Sequence, residues 1–165
     1  MVVIKLHGIE LVDYPKIYDK VFVMQTFLPH PDYYKSMQCL DKSRLGNQVW
    51  REGLTLIRGG WENHPASKMW RGYFYSLGEY LLAGIRVLNE RGANGKYGHI
   101  GTRILDEMWK HDNTGSPPWL GNDAFHASHR AALLYKLPEW YSQFGWKEKP
   151  DIPNEKGKLN YIWPV

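Results

Sequence analysis

Cysteine is almost missing from this chain: Cys39 is the single one in 165 residues. No intramolecular disulfide can form, and the chain fits a reducing compartment. No stretch approaches the about 18 consecutive apolar residues of a membrane-crossing helix. The segment Met1–Lys20 has neither the apolar core nor the small-residue cleavage site of a secretory signal. Internal repeats, low-complexity tracts, a glycine-rich phosphate cradle and a serine nucleophile elbow are also missing. His126 and His129 have the spacing of half a metal site, but no second cluster of His, Cys or Asp matches it. These absences exclude disulfide scaffolds, membrane proteins and P-loop hydrolases. The expectation is one cytoplasmic domain, monomeric, without metal or cofactor.

What is abundant is aromatic. Phe, Trp and Tyr make up 15% of the chain, with 8 Trp and 11 Tyr. Lys and Arg number 21 against 17 Asp and Glu, a net charge of +4. Cations neutralise phosphate and ring faces stack on bases, so a small basic, aromatic-rich domain suits a nucleic-acid partner. A charge of this size does not by itself name one.

Along the chain the first 23 residues differ from the rest. The runs Val2–Leu6 and Val21–Val23 are β-branched or aromatic and flank a Tyr14-Pro15 turn signal. They predict a short hairpin, or one strand continuing through Met24–Leu28. From Pro31 the signals are helical. Pro31-Asp32 starts a helix through Tyr33–Leu40, and Asp41 caps a longer one to about Ile57, closed by Gly59-Gly60. Asn63 before His64-Pro65 signals a third helix running to Glu90, with Tyr73, Leu77, Leu81, Gly84 and Leu88 as its apolar stripe. Ile100–Lys110 is a shorter helical segment. Ser116-Pro117-Pro118 is a break, Asn122 or Asp123 caps a helix to about Leu137, and Pro138 begins a short turn to Phe144. The reading is a mainly α protein: a compact bundle of about three main helices at 24–146, an extended or β N-terminal extension at 1–23, and a tail at 147–165 packing on the bundle.

The stretch Ser43–Ile57 is the most informative. At 100° per residue, Arg44, Gln48, Arg51 and Thr55 fall within about 60° of arc, with Leu45, Val49, Trp50, Leu56 and Ile57 opposite. Glu52 falls on the seam. Burial would raise its pKa and the adjoining arginines would lower it. A carboxylate inside a basic strip repels phosphate, which makes sense where it acts chemically, as a general base or by stabilising a cationic sugar. The plainer reading is a solvated ion-paired face. Two further groups carry cations. Glu62–Arg71 gathers His64, Lys68 and Arg71 at a helix start, where free N–H groups favour phosphate. His126, His129 and Arg130 share a face of the later helix and read as a phosphate-facing edge.

With these residues in view, the chain from Met24 to about Gly145 resembles the pyrimidine-dimer DNA glycosylase (endonuclease V-like) family. It is most similar to a bacterial and phage branch that opens like Met24-Gln25-Thr26-Phe27-Leu28-Pro29-His30-Pro31-Asp32. That branch continues with the pattern from Leu40 to Gln48, the Asn63–Trp70 block, Pro117–Gly121, His126–Arg130 and Tyr161–Pro164. Trp50-Arg51-Glu52 looks like the family's aromatic-Arg-Glu step. The resemblance implies an all-α glycosylase acting on duplex DNA that carries a lesion or modified base. It also implies cleavage of the abasic site: an amine attacks C1′, the base leaves, and an imine links protein to sugar until β-elimination breaks the strand. It places Glu52 as the acid–base residue and Arg44, Gln48 and Arg51 around the lesion. His64, Lys68, Arg71, His126, His129 and Arg130 would hold phosphates. The target nucleotide leaves the stack, and surplus aromatics are available to fill the gap.

The family's nucleophile is an N-terminal amine, and the matching position is Gln25, which 24 residues precede. Several routes stay open. Translation beginning at Met24 would give Met24 the amine; the extension would fold back to present Val2; Glu52 would activate water without strand cleavage; or a lysine such as Lys42 or Lys68 would substitute. A non-enzymatic nucleic-acid binder is the alternative function, and a basic face docking an acidic protein is a third.

Overall fold

The computed structural model describes residues 4–6, 9–11 and 25–165. In the N-terminal part Ile4–Leu6 (β1) and Ile9–Leu11 (β2) pair antiparallel, Ile4 opposite Leu11. The Val2–Leu6 run thus contributes Ile4–Leu6 to a hairpin with Ile9–Leu11; the other expected strand, Val21–Val23, lies outside the described residues, as does Met24. Only two residues separate β1 from β2 in sequence, so bringing the two strands together costs little chain entropy.

From Gln25 onward the chain is mainly helical. An extended stretch, 25–30, leads into α1 (Tyr33–Cys39), capped by the Asp32 carboxylate on the Lys35 N–H at 2.7 Å. Asp41 caps the next helix as expected. That helix is not one regular rod, however: α2 (Lys42–Asn47) passes into a π-helical turn, Gln48–Glu52, and then α3 (Gly53–Ile57). Gly59, at φ +81°, ends it. The third helix also breaks. The α4 helix (Pro65–Trp70) is capped by His64, whose Nδ1 accepts from the Ala66 N–H at 3.0 Å, and not by Asn63. It stops at Arg71 and Gly72, where Gly72 takes φ +84°, and α5 (Phe74–Leu88) starts afresh. A second π turn, Asn89–Ala93, follows. Then come α6 (Gly98–Met108), α7 (Asp123–Lys136, capped by Asn122), α8 (Pro138–Tyr141) and a 3₁₀ turn, Ser142–Phe144. The bundle thus has more and shorter pieces than three main helices.

One core joins these elements. Leu77, Leu81 and Leu88 of α5 are buried with Leu45, Val49, Leu54 and Ile57 from the rod, and with Phe125, Leu133 and Leu134 of α7. Much of the aromatic excess is here too: Trp70, Tyr80 and Tyr141 are wholly enclosed, and Trp119 packs edge-on against Trp70 at 4.9 Å. The tail crosses α7, with the Asp151 N–H on the Ala131 carbonyl at 2.9 Å and the Ile162 N–H on Ser128 Oγ at 3.2 Å.

The rod and α5 meet through two glycines. A Cβ on Gly53 would lie 2.0 Å from Leu81 Cδ2 and 2.3 Å from the Gln48 carbonyl oxygen. One on Gly84 would lie 2.5 Å from Val49 Cγ2. This close crossing fixes the height and rotation of the turn that carries Glu52. Gly84→Ala is expected to cost about 1–3 kcal/mol, and Gly53→Ala more, because a backbone oxygen rather than a side chain must move. Urea unfolding of both variants measures the difference, and equal stability with the wild type would refute the tight crossing.

Candidate active site

Residues 25–28 are extended and buried, yet belong to no sheet. Buried backbone polar groups need partners, and here side chains from the rod, α5 and α7 supply them. Gln48 does most. Its Oε1 accepts from the Phe27 N–H at 2.9 Å, and its Nε2 donates to the Gln25 carbonyl at 2.6 Å. The Tyr80 hydroxyl lies 2.8 Å from the Phe27 carbonyl and 2.7 Å from Gln48 Oε1. Trp70 Nε1 donates to Thr26 Oγ1 at 3.0 Å.

Helix α7 grips the next residues. The Leu28 N–H donates to His129 Nδ1 at 2.9 Å, and His126 Nδ1 is 2.8 Å from the Leu28 carbonyl. The Gly121 N–H donates to His126 Nε2 at 2.9 Å, so Nδ1 of that ring carries the proton and donates. Both rings are therefore neutral. Burial pushes His129 down to about 3 and lowers His126 as well. Arg130 donates to the Pro29 carbonyl at 2.8 Å and pairs with Glu148 at 2.6 Å.

These bonds correct three expectations. His126 and His129, 2% and 0% exposed, do not present to phosphate: they bind the backbone of Leu28. Gln48, 1% exposed, is an interior bracket and not a contact at the lesion. As a polar side chain it is expected to face outward, but the backbone of Gln25 and Phe27 gives it partners in the interior. Trp50, within the π turn, is 39% exposed, although the regular wheel put it on the apolar side.

Glu52 is the chemical centre of this region. It is 7% exposed, and Gln48 Nε2 donates to its Oε2 at 2.6 Å. The main-chain nitrogen of Gln25 donates to it as well. Burial nevertheless dominates, pushing the carboxyl from 4.5 up to about 7 against Arg51, Lys136 and both hydrogen bonds. Gln25 is fully buried, and its Nε2 has no partner among the described residues. The Tyr161 hydroxyl of the tail is enclosed in the field of Arg44 and Glu52, and burial raises its pKa strongly.

The remaining expected residues are more open. Arg44 is half-buried and pairs with Asp41 at 3.0 Å; Arg51 is exposed. Lys68 and Arg71 are exposed, Arg71 donating to the Glu62 carbonyl at 3.1 Å. His64 is half-buried between the edges of Trp61 and Trp163, with ring centres at 6.0 and 5.8 Å. Sequence reasoning missed Lys136, Tyr80 and Tyr161 as members of the site. A lysine ending a helix carries no signal, since it merely complements the helix dipole. Among the described residues no group of three or more His, Cys, Asp or Glu is placed to hold a metal, and no helix is long and apolar enough to cross a membrane.

A helical domain with a buried carboxyl titrating near neutrality, flanked by cations and joined to a main-chain nitrogen of the buried extended segment, has the equipment of an acid–base enzyme. Residues 24–100 match the family model described as pyrimidine dimer DNA glycosylase. No curated protein and no solved structure matches the chain.

The raised pKa has a thermodynamic consequence of definite sign. Between about pH 4.5 and about pH 7 the folded chain keeps the Glu52 proton while the unfolded chain loses it, so stability falls as pH rises through that window. Glu52→Gln accepts the Gln48 bond and cannot ionise. It is expected to exceed the wild type by up to about 3 kcal/mol at pH 8, and by nothing at pH 4. Urea unfolding at the two pH values reads this directly; a difference independent of pH would refute the shift.

Proposed function

We propose that the protein excises a damaged or modified pyrimidine from duplex DNA, with Glu52 as the acid–base residue. The observation that carries this reading is the meeting of Glu52 with the main-chain nitrogen of Gln25. Gln25 is the position at which the resemblance expects the amine, and a side chain 27 residues away in sequence would not meet it by local geometry. The carboxyl near 7 suits both halves of the chemistry. Protonated, it gives a proton to the departing base; ionised, it stabilises the cationic sugar or takes up the 2′ proton. Arg44, Arg51, Lys68 and Arg71 are the cations open to a phosphate backbone, and their attraction is salt-dependent. Gln25 and Met24 enter through the backbone that carries the nitrogen, while Gln48, His126, His129 and Arg130 hold that backbone in place.

The test is base release from ultraviolet-irradiated duplex DNA. Glu52→Gln is expected to lower the rate about 10²–10⁴-fold while leaving duplex binding intact. An unchanged rate would overturn the role of Glu52, whereas salt-sensitive duplex binding with no base release by the wild type would instead support the non-enzymatic binder on the same scaffold.

A further inference from the structure

The strand-cutting form of the proposed reaction, on which this inference rests, needs a free amine beside Glu52. In this chain the Gln25 nitrogen is an amide joined to Met24, its lone pair delocalised into the carbonyl. The side-chain cations that act on the Glu52 carboxyl are Arg51 and Lys136. A guanidinium keeps its proton in proteins and is no nucleophile. Among the described residues acting on Glu52, that leaves Lys136 as the side-chain amine. The two lysines suggested by sequence, Lys42 and Lys68, are exposed.

Helix α7 explains why this lysine is there. With His126, His129 and Arg130 it holds Leu28 and Pro29, and its last residue then returns Lys136 over the same segment. Nζ lies 5.9 Å from the centre of the Phe27 ring, and the side chain is half-buried. The Phe27 N–H is bonded to Gln48, whose amide is bonded to Glu52, so amine and carboxyl flank one bracket. No nitrogen–oxygen contact within 4.0 Å ties Lys136 to Glu52. Burial lowers the lysine's pKa, Arg44 lowers it further, and only Glu52 acts the other way. Protonating Glu52 removes that opposing charge and favours the neutral amine. Acid and nucleophile are thereby readied together.

We propose that Lys136 is the amine that attacks C1′ of the target nucleotide. Nζ bonds to C1′ as the C1′–base bond breaks, and the electron pair leaves on the base, which takes the Glu52 proton. The nitrogen passes a proton to the sugar ring oxygen as the ring opens, leaving a protonated imine. The Glu52 carboxylate then removes a 2′ proton, and the 3′-phosphate departs with the C3′–O electron pair. Water hydrolyses the imine and returns the amine.

Borohydride trapping on a duplex with one abasic site tests this, because reduction fixes the imine whatever base the protein prefers. Digestion and mass spectrometry of the full-length wild-type adduct are expected to place the sugar on Lys136, a result that depends on no variant folding. Lys136→Arg keeps the cation but has no imine-forming amine. It is expected to lose adduct and strand cleavage by about a hundredfold or more, with Kd for the same duplex within about threefold of the wild type. An adduct on the Met1 amine or on another lysine, or cleavage unaffected by Lys136→Arg, overturns the assignment. No adduct, with base still released from irradiated DNA, also overturns it but leaves the glycosylase reading standing with water as nucleophile. Neither adduct nor base release overturns both.

Discussion

Everything in the site depends on satisfying the backbone of one buried, extended segment. Residues 25–28 are buried without strand neighbours, and each unpaired N–H or C=O there would cost about 1–3 kcal/mol. A sheet would pair such groups with another backbone. Here the partners are side chains from three helical elements, Gln48 from the π turn, Tyr80 from α5, and His126 and His129 from α7, while Trp70 of α4 holds the Thr26 hydroxyl and Arg130 the next carbonyl, that of Pro29. The segment is thus the hub through which the rod, α4, α5 and α7 are held in register. Losing Gln48 would leave both the Phe27 N–H and the Gln25 carbonyl without it, and losing His126 both the Leu28 carbonyl and the Gly121 N–H.

The π turn at Gln48–Glu52 carries two of the side chains that meet this demand. Gln48 must reach both Gln25 and Phe27, and Glu52 must lie four residues on, within reach of the Gln48 amide. The widened turn aims both inward and sends the intervening Trp50 and Arg51 outward. Gly53 ends the turn against Leu81, where any side chain would push the rod off α5. Backbone geometry, close packing and a carboxyl's protonation are therefore one linked arrangement.

Element types were largely legible in the sequence. Asp32, Asp41 and Asn122 cap helices as their positions predict, because a carboxylate or amide beside free N–H groups is a local signal. The breaks were less legible. His64 displaced Asn63 as a cap, and Gly72 divided a continuous apolar stripe, since periodicity survives a turn that leaves both halves on the core. In the site, Glu52 stood out as a carboxylate among cations. Gln48 and the two histidines were assigned to DNA because polar side chains are ordinarily solvent-facing. Only the long-range pairing with Gln25–Leu28, which no local window contains, reveals them as structural. Lys136 was invisible for the same reason.

A single physical effect sets the division of labour between these polar groups. Burial disfavours charge of either sign, so it pushes His129 down to about 3 and Glu52 up to about 7. For the histidine this is protective: a protonated Nδ1 could not accept the Leu28 N–H, so the bracket holds through any pH at which the carboxyl titrates. For the glutamate burial alone would lock the proton in place. Arg51 and Lys136 pull the other way, and they bring the balance to the range where a proton can be both given and taken. The cations around Glu52 matter for that local balance more than for the chain's overall charge.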